Sequence, residues 1–199
     1  MKKIAIIVVT IFSNFTFAQQ QHPEWIDVPL EEALDMEYRF RDFTYFKDMN
    51  NLLDKFVGTW IYSQGNDYFK ITFFKLVNQQ SDINLRQKED ILLSRCEFKQ
   101  NNLMIFESYL TNISWVDFLF MINTNKLSLS YQEPSFTHCT KDRFGSLEII
   151  YLLDSNNQPI LNWTRTDNPV IQIPIPCEGS TTADTTNFLA PANMILRKQ

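Results

Sequence analysis

Few side chains in this sequence are of the types that carry catalysis or bind metal ions. Its two histidines are His22 and His138, and His138 is followed directly by Cys139. A zinc site takes three or four histidine, cysteine or carboxylate ligands, and neighbouring residues of an extended chain point in opposite directions. We therefore expect neither a metal site nor a cofactor.

The glycines and carboxylates do not suggest an enzyme either. The four glycines are scattered, so they form no glycine-rich phosphate loop and no nucleophile elbow. The carboxylates are numerous, but the sequence places no pair of them across a cleft, as glycoside hydrolysis requires. We expect a protein that is not an enzyme.

The three cysteines allow two interpretations. Cys96 lies in strand-like sequence and is predicted to be a small buried side chain, whereas Cys139 and Cys177 lie in loop-like sequence. Disulfides form in exported proteins. The alternatives are a Cys139–Cys177 disulfide or free thiols.

The remaining candidates are mostly apolar, and strands must position them. Gly65-Asn66 has glycine at the first central position, as a two-residue type II′ turn requires. This turn pairs Trp60 with Ile71 and makes that face of the hairpin apolar. Together with later strands, the hairpin supplies the side chains that either line a ligand site or fill a core: Trp60, Tyr62, Phe69, Ile71, Phe73, Phe98, Tyr151 and Trp163.

The stretch Leu53–Tyr62 combines a short helical turn with the strand sequence Gly58-Thr59-Trp60. We expect Asn50 or Asn51 to be the N-cap. A short helix followed by Gly-x-Trp and an antiparallel meander resembles the lipocalin and calycin superfamily. The wider run of residues 45–62, with the last seven residues of the chain, looks like a family of uncharacterised exported bacterial proteins of lipocalin-like type, a domain of unknown function.

The resemblance implies an all-β fold: an antiparallel up-and-down barrel of about eight strands, with a short helical turn before the first. It places Trp60 at the closed end of the barrel. It also implies that a basic residue near the end of the last strand packs over the Trp60 indole, and Arg197 is the candidate. The alternative is a solvated Arg197.

The chain divides into three parts. Residues 1–18 are predicted to be a signal peptide, with Lys2-Lys3, an apolar run and a small-x-small cleavage site at Thr16-Phe17-Ala18. Residues 19–44 are predicted to be an extended arm, and residues 45–199 the lipocalin-like barrel. Export implies a periplasmic or extracellular protein, with no transmembrane segment after cleavage.

The mature chain is acidic. Cleavage removes two of the 18 basic residues and none of the 23 acidic ones, which leaves a net charge of −7. Phosphate contacts need lysine and arginine concentrated on one face. Nucleic acid is therefore not an expected partner.

Further strands are predicted after the first hairpin. Val77–Glu89 is polar and is expected to be a loop. Ile91–Lys99 and Leu103–Tyr109 follow as strands. Leu103 and Ile105 are expected on the face that also carries Leu92, Ser94, Cys96 and Phe98. These strands continue the meander.

The second half of the chain is less regular. Asn112–Ile122 fits either an amphipathic helix or a strand, whereas Lys126–Tyr131 alternates as a strand does. Ser146–Asp154 and Ile160–Thr166 form a hairpin, and a loop of three or five residues places their apolar side chains on one face.

The end of the chain returns to the first strand. Asp167–Pro191 is rich in proline and threonine, so a long surface excursion is expected. Asn193–Lys198 is then predicted to pair with the Trp60 strand and close the barrel.

Two function classes follow from this reading. The first is an exported barrel that binds a small hydrophobic molecule among its inward aromatic side chains. The second is a structural or protein-interaction module of the cell envelope, in which the same side chains form a solid core without a ligand.

Overall fold

A computed structural model describes residues 24–33, 35–82, 86–107, 116–123, 125–133, 143–167 and 190–199. The predicted signal peptide, Cys139, Cys177 and most of the predicted excursion lie outside these ranges. The described part contains eleven strands, a 3-10 turn at Leu30–Glu32 and a short helix, α1, at Met36–Arg39. The strands are β1 Ile26–Pro29, β2 Thr44–Lys47, β3 Gly58–Gln64, β4 Asp67–Asp82, β5 Gln87–Gln100, β6 Leu103–Glu107, β7 Val116–Asn123, β8 Lys126–Glu133, β9 Arg143–Leu153, β10 Pro159–Asp167 and β11 Asn193–Lys198.

All eleven strands belong to one curled sheet that forms a half-barrel, which confirms the all-β, barrel-like fold. The order is β1-β2-β5-β4-β3-β11-β10-β9-β8-β7, with β6 added to β5. The β1–β2 and β2–β5 pairs are parallel, and the other pairs are antiparallel. No ladder joins β6 to β7 in the described residues, although β7 lies near β5.

The first hairpin has the predicted register. Trp60 pairs with Ile71, Tyr62 with Phe69, and the two-residue turn begins at Gly65 with φ of 59°. A positive φ at the first central position is what a type II′ turn needs, and glycine adopts it without strain. The alternation of apolar residues was therefore sufficient to fix this pairing.

The segment before β3 is a set of consecutive turns, but the predicted cap was wrong. Phe56 N donates to the Leu53 carbonyl at 3.0 Å, so the turns close between residues three apart. The acceptor at the start is Asp48 and not Asn50 or Asn51: its carboxylate accepts from Leu52 N at 2.6 Å and Leu53 N at 3.1 Å. An ionised carboxylate at the start of a helical turn is a stronger acceptor than an amide.

The predicted loop at Val77–Glu89 was also wrong, because β4 and β5 continue through most of it. Register shifts between Leu76 and Gln79 and between Gln80 and Asp82 allow the pairing to resume. Asn78 has φ of 58° at the first irregularity, and its N–H donates to Asp90. A polar stretch with a bulge therefore forms strand where composition alone indicated a loop.

The β5–β6 hairpin departs from the predicted register for the same reason. An irregularity after Phe98 pairs this residue with Phe106. Phe106 is consequently 2% exposed. Ile105, which was expected on this face, is skipped by the pairing and is only partly buried. One extra residue on a bulged strand reverses which side chains face the core.

The later predictions are confirmed. The sequence leaves Asn112–Ile122 open between a helix and a strand. Its described part, from residue 116 onward, lies in strand β7. Tyr151 pairs with Leu161 across a five-residue loop, and Ile61 pairs with Arg197, so β11 closes on β3 as expected.

The residues predicted as an extended arm also contribute to the fold. Val28 and Leu30 are buried in the same core as Trp60, and Lys47 forms an ion pair with Asp27 at 2.8 Å. Within this segment, Leu30–Glu32 forms the 3-10 turn and Met36–Arg39 forms α1. Over the residues described, no helix has the length and apolar character needed to cross a membrane.

Candidate functional site

The eight predicted lining residues share the inner face of the half-barrel. Tyr62 and Tyr151 are half-buried, and the other six are almost fully buried: Trp60, Phe69, Ile71, Phe73, Phe98 and Trp163. Their burial follows from the strand register. Their role as ligand-lining residues stays a prediction.

The Trp60 side chain has a hydrogen bond, a ring contact and a cation over its face. Its Nε1 donates to the Phe56 carbonyl at 2.7 Å, and its ring meets Tyr151 edge-on with centroids 6.3 Å apart. The basic residue over the indole is Lys198, whose Nζ lies 5.2 Å from the ring centroid. A β-carbon at Gly58 would meet Lys198 Cε at 3.2 Å, so this glycine leaves room for the lysine stem.

Arg197 was therefore the wrong candidate for the residue over Trp60. Lys198 is the register partner of Trp60 and shares its face, whereas Arg197 points to the other side of β11. Arg197 Nη1 instead donates to Asp154 at 2.6 Å. This contact and backbone N–H donors from Gln158 and Asn156 hold the pKa of Asp154 below its usual value and order the β9–β10 loop.

Trp163 lies at the centre of a second aromatic group. Its ring contacts Phe69 at 5.2 Å and Tyr131 at 5.5 Å between centroids, both edge-on. Such distances are those of packed aromatic pairs. The side chain is fully buried, yet among the described residues its Nε1 has no hydrogen-bond partner.

Two further buried polar side chains belong to this inner face. Ser94 pairs with Phe73, and its Oγ also has no hydrogen-bond partner in the described ranges. Arg165 is 6% exposed, lies two residues after Trp163 on β10, and holds its guanidinium 5.2 Å from the Tyr131 centroid. Its Nη1 donates to the Ala190 carbonyl at 2.8 Å. The sequence pattern alone could not show which of these polar atoms find partners.

A polar network that the sequence analysis missed lies outside the aromatic groups. Asp90 accepts from Tyr45 Oη at 2.5 Å and from Asp48 N at 3.0 Å. Burial, together with the bond to Asp90, raises the pKa of Tyr45 to about 12. Asp48 forms an ion pair with Lys75 at 2.8 Å. Each of these groups has a partner inside the protein, so the network joins β2, β4, β5 and the turns that precede β3.

A groove of about 460 Å³ opens where β3 and β11 separate. Trp60 and Ile61 of β3 pair with Lys198 and Arg197 of β11, and in the described residues this pairing does not continue from Ile61 to Tyr62. The walls come from three strands: Tyr62, Ser63 and Gln64 of β3, Asn162 of β10, and Asn193, Met194 and Ile195 of β11. Side chains of both faces line it, so the groove lies within the wall of the half-barrel.

A smaller, polar pocket of about 290 Å³ lies between the β3–β4 and β5–β6 turns. The Lys99 ammonium lies over the Tyr68 ring at 5.2 Å and covers this face of it. Within the described ranges, no group of three histidine, cysteine or carboxylate residues is placed to hold a metal ion.

Comparison with known proteins gives a family but no activity. Residues 1–199 match the model of DUF6705, a family of unknown function. No curated protein and no solved structure matches the chain. Export and the lipocalin resemblance stay predictions.

Proposed function

Because the chain belongs to the DUF6705 family, whose function is unknown, we propose that it is an exported binding protein whose half-barrel holds one small, mostly apolar molecule. In this proposal residues 1–18 direct export to the periplasm or the exterior, and the protein is not an enzyme. The proposed ligand-lining residues are those of the inner face.

The observation that carries the proposal is a pair of buried polar atoms, Trp163 Nε1 and Ser94 Oγ, that have no hydrogen-bond partner in the described part of the chain. Leaving such an atom unsatisfied costs about 1–3 kcal/mol, and buried polar groups in native proteins are nearly always bonded. A bound molecule with polar atoms at these two points would remove that cost. The indole N–H only donates, so the ligand must offer it an acceptor oxygen or nitrogen.

The rings around Trp163 indicate the character of the rest of the ligand. Phe69 and Tyr131 pack against the indole, so the part of the ligand beside them is apolar. A carbonyl or carboxylate oxygen would accept from the indole N–H. The proposed ligand is therefore an apolar chain or ring with a carboxylate or carbonyl, as in a fatty acid.

The contacts of Trp60 favour the lipocalin-like part of the proposal. Its Nε1 donates to the preceding turn, a lysine of the last strand lies over its ring, and β11 returns to β3. Small barrels of this kind can hold one small ligand.

The proposal is tested on protein purified from its own envelope. Native mass spectrometry should show an added mass, and fatty acids should quench the tryptophan fluorescence of the stripped protein. Ser94→Ala should weaken binding severalfold, because it removes a polar contact and little volume. Ser146→Ala, on the exposed face of β9, is the matched control and should bind as the natural protein does.

A second function is favoured by the contacts of Trp163. Rings from β4 and β8 already pack against it, as in the solid core of a structural or protein-interaction module. An unliganded mass together with unchanged fluorescence would reject the binding function and leave this one.

A further inference from the structure

The groove between β3 and β11 leads toward the unpartnered indole. Met194 forms part of its wall and is itself 2% exposed. Met194 is also the register partner of Trp163 on β10. Paired residues of neighbouring strands share a face, so one methionine lies between the open groove and the inner position of Trp163.

The separation of the two strands follows from how β11 is held. Five consecutive residues of β11, Asn193–Arg197, are in register with β10. Arg165 adds a bond from its N–H to the Ala192 carbonyl at 2.7 Å. On the other side, β11 meets β3 only at its last residues, where Gln199 N donates to the Thr59 carbonyl at 2.9 Å. The start of β11 therefore follows β10 and leaves β3.

We infer that this groove is a side entrance through which the ligand reaches Trp163, with Met194 as its gate. The inference rests on the proposed binding function and adds the route. Methionine is unbranched and changes rotamer readily, so it can move aside at low cost. The outer rim carries Ser63, Asn162 and Asn193 and no charged side chain, which suits the passage of a mostly apolar molecule.

An entrance makes a kinetic prediction that a binding contact does not. Narrowing the entrance slows the association and the dissociation of the ligand by the same factor, so the dissociation constant stays nearly unchanged. Ser63 is exposed on the outer face at the rim, so Ser63→Phe narrows the groove without entering the interior. Ser146→Phe places the same ring on the exposed face of β9, away from the groove, and is the matched control.

The experiment is stopped-flow energy transfer from the tryptophans to cis-parinaric acid, a fluorescent fatty acid. Ser63→Phe should slow association and dissociation at least tenfold each, whereas Ser146→Phe should leave both rates unchanged. Met194→Ala, which shortens the gate, should accelerate both rates. Far-UV circular dichroism establishes that each variant is folded, and the Met194 variant tests the route independently if Ser63→Phe does not fold.

The outcomes separate the route from the function. Equal rates in Ser63→Phe and Ser146→Phe, with binding intact, would overturn the entrance and leave the binding function standing. A loss of affinity in Ser63→Phe without matching changes in both rates would make Ser63 a ligand contact and also overturn the entrance. An absence of binding in the natural protein would overturn both proposals.

Discussion

The two buried tryptophans provide a direct test of the unpartnered indole. Trp163→Phe and Trp60→Phe remove the same atoms from positions that are both fully buried, so the cost of lost volume is similar. The N–H groups differ: that of Trp60 donates to Phe56 at 2.7 Å, and that of Trp163 has no partner. The difference between the variants therefore reports the hydrogen bonding of the two indoles.

The magnitudes follow from these environments. The smaller ring leaves a void of roughly 40 Å³, worth about 1 kcal/mol at about 24 cal/mol per Å³. Trp60→Phe also leaves the Phe56 carbonyl without its donor, at about 1–3 kcal/mol, for a total of about 2–4 kcal/mol. Trp163→Phe removes an unsatisfied donor, which stabilises the folded state by about 1–3 kcal/mol and offsets the cost of the void. Its free energy of unfolding should therefore stay within about 1 kcal/mol of the natural value or rise.

The assay is urea unfolding followed by far-UV circular dichroism, since the substitutions change the fluorescence. Any co-purified ligand is removed first by unfolding and refolding. Equal destabilisation of the two variants, within about 0.5 kcal/mol, the spread expected of neutral changes, would refute the reasoning. The Trp163 N–H would then have a partner in the unliganded protein.

Three further outcomes are expected from the other contacts. Asp48→Asn should lower the free energy of unfolding by about 3 kcal/mol, because the substitution breaks a buried ion pair with Lys75. Urea unfolding measures this change. A loss below about 1 kcal/mol would contradict the role of Asp48 as the acceptor for the turns. Since the folded pKa of Tyr45 is raised to about 12, its contribution to stability is complete below its unfolded pKa near 10 and is lost as the pH rises toward 12. Tyr45→Phe should therefore flatten the fall in unfolding free energy over that pH range, and an unchanged slope would argue against the shift. Gly58→Ala should lower the melting temperature more than Gly65→Ala does. Gly58 has φ of 118°, and its added β-carbon would lie 3.2 Å from Lys198, whereas Gly65 has φ of 59° and nothing within 4 Å of the added carbon. The reverse order of melting temperatures would show that the Lys198 side chain moves aside without cost.

The alternation of apolar residues was enough to predict where pairing is regular. The register of the first hairpin, the five-residue loop and the closure by β11 all follow from keeping large apolar side chains on one face. Burying one face specifies register strongly, because a slip of one residue would expose the whole set. The inward positions of Trp60 and Trp163 were therefore readable from the sequence.

Prediction failed where the backbone departs from regular strand. Asn78, with φ of 58°, lies at an irregularity that lets a polar stretch stay in the sheet. The irregularity after Phe98 turns Phe106 inward in place of Ile105. Bulges depend on contacts distant in sequence, such as the bond from Asn78 N to Asp90. Lys198, and not Arg197, lies over Trp60. Predicting this required the register between β11 and β3, which the sequence of β11 alone does not specify.

The two buried tryptophans of the inner face differ in what their contacts contribute. The contacts of Trp60 stabilise the fold, whereas those of Trp163 bear on the proposed function. Trp60 has an internal acceptor, a lysine over its ring and a glycine that makes room for that lysine, so its end of the half-barrel gains nothing from a ligand. Trp163 has the same burial and the same kind of ring contacts, but its donor has no acceptor among the described residues, and its neighbour on β11 lies at an open groove. A protein under selection for stability alone would gain by replacing an unsatisfied donor with a carbon, as a phenylalanine does. On the binding proposal, the polar atom of Trp163 is retained because the ligand accepts its hydrogen bond.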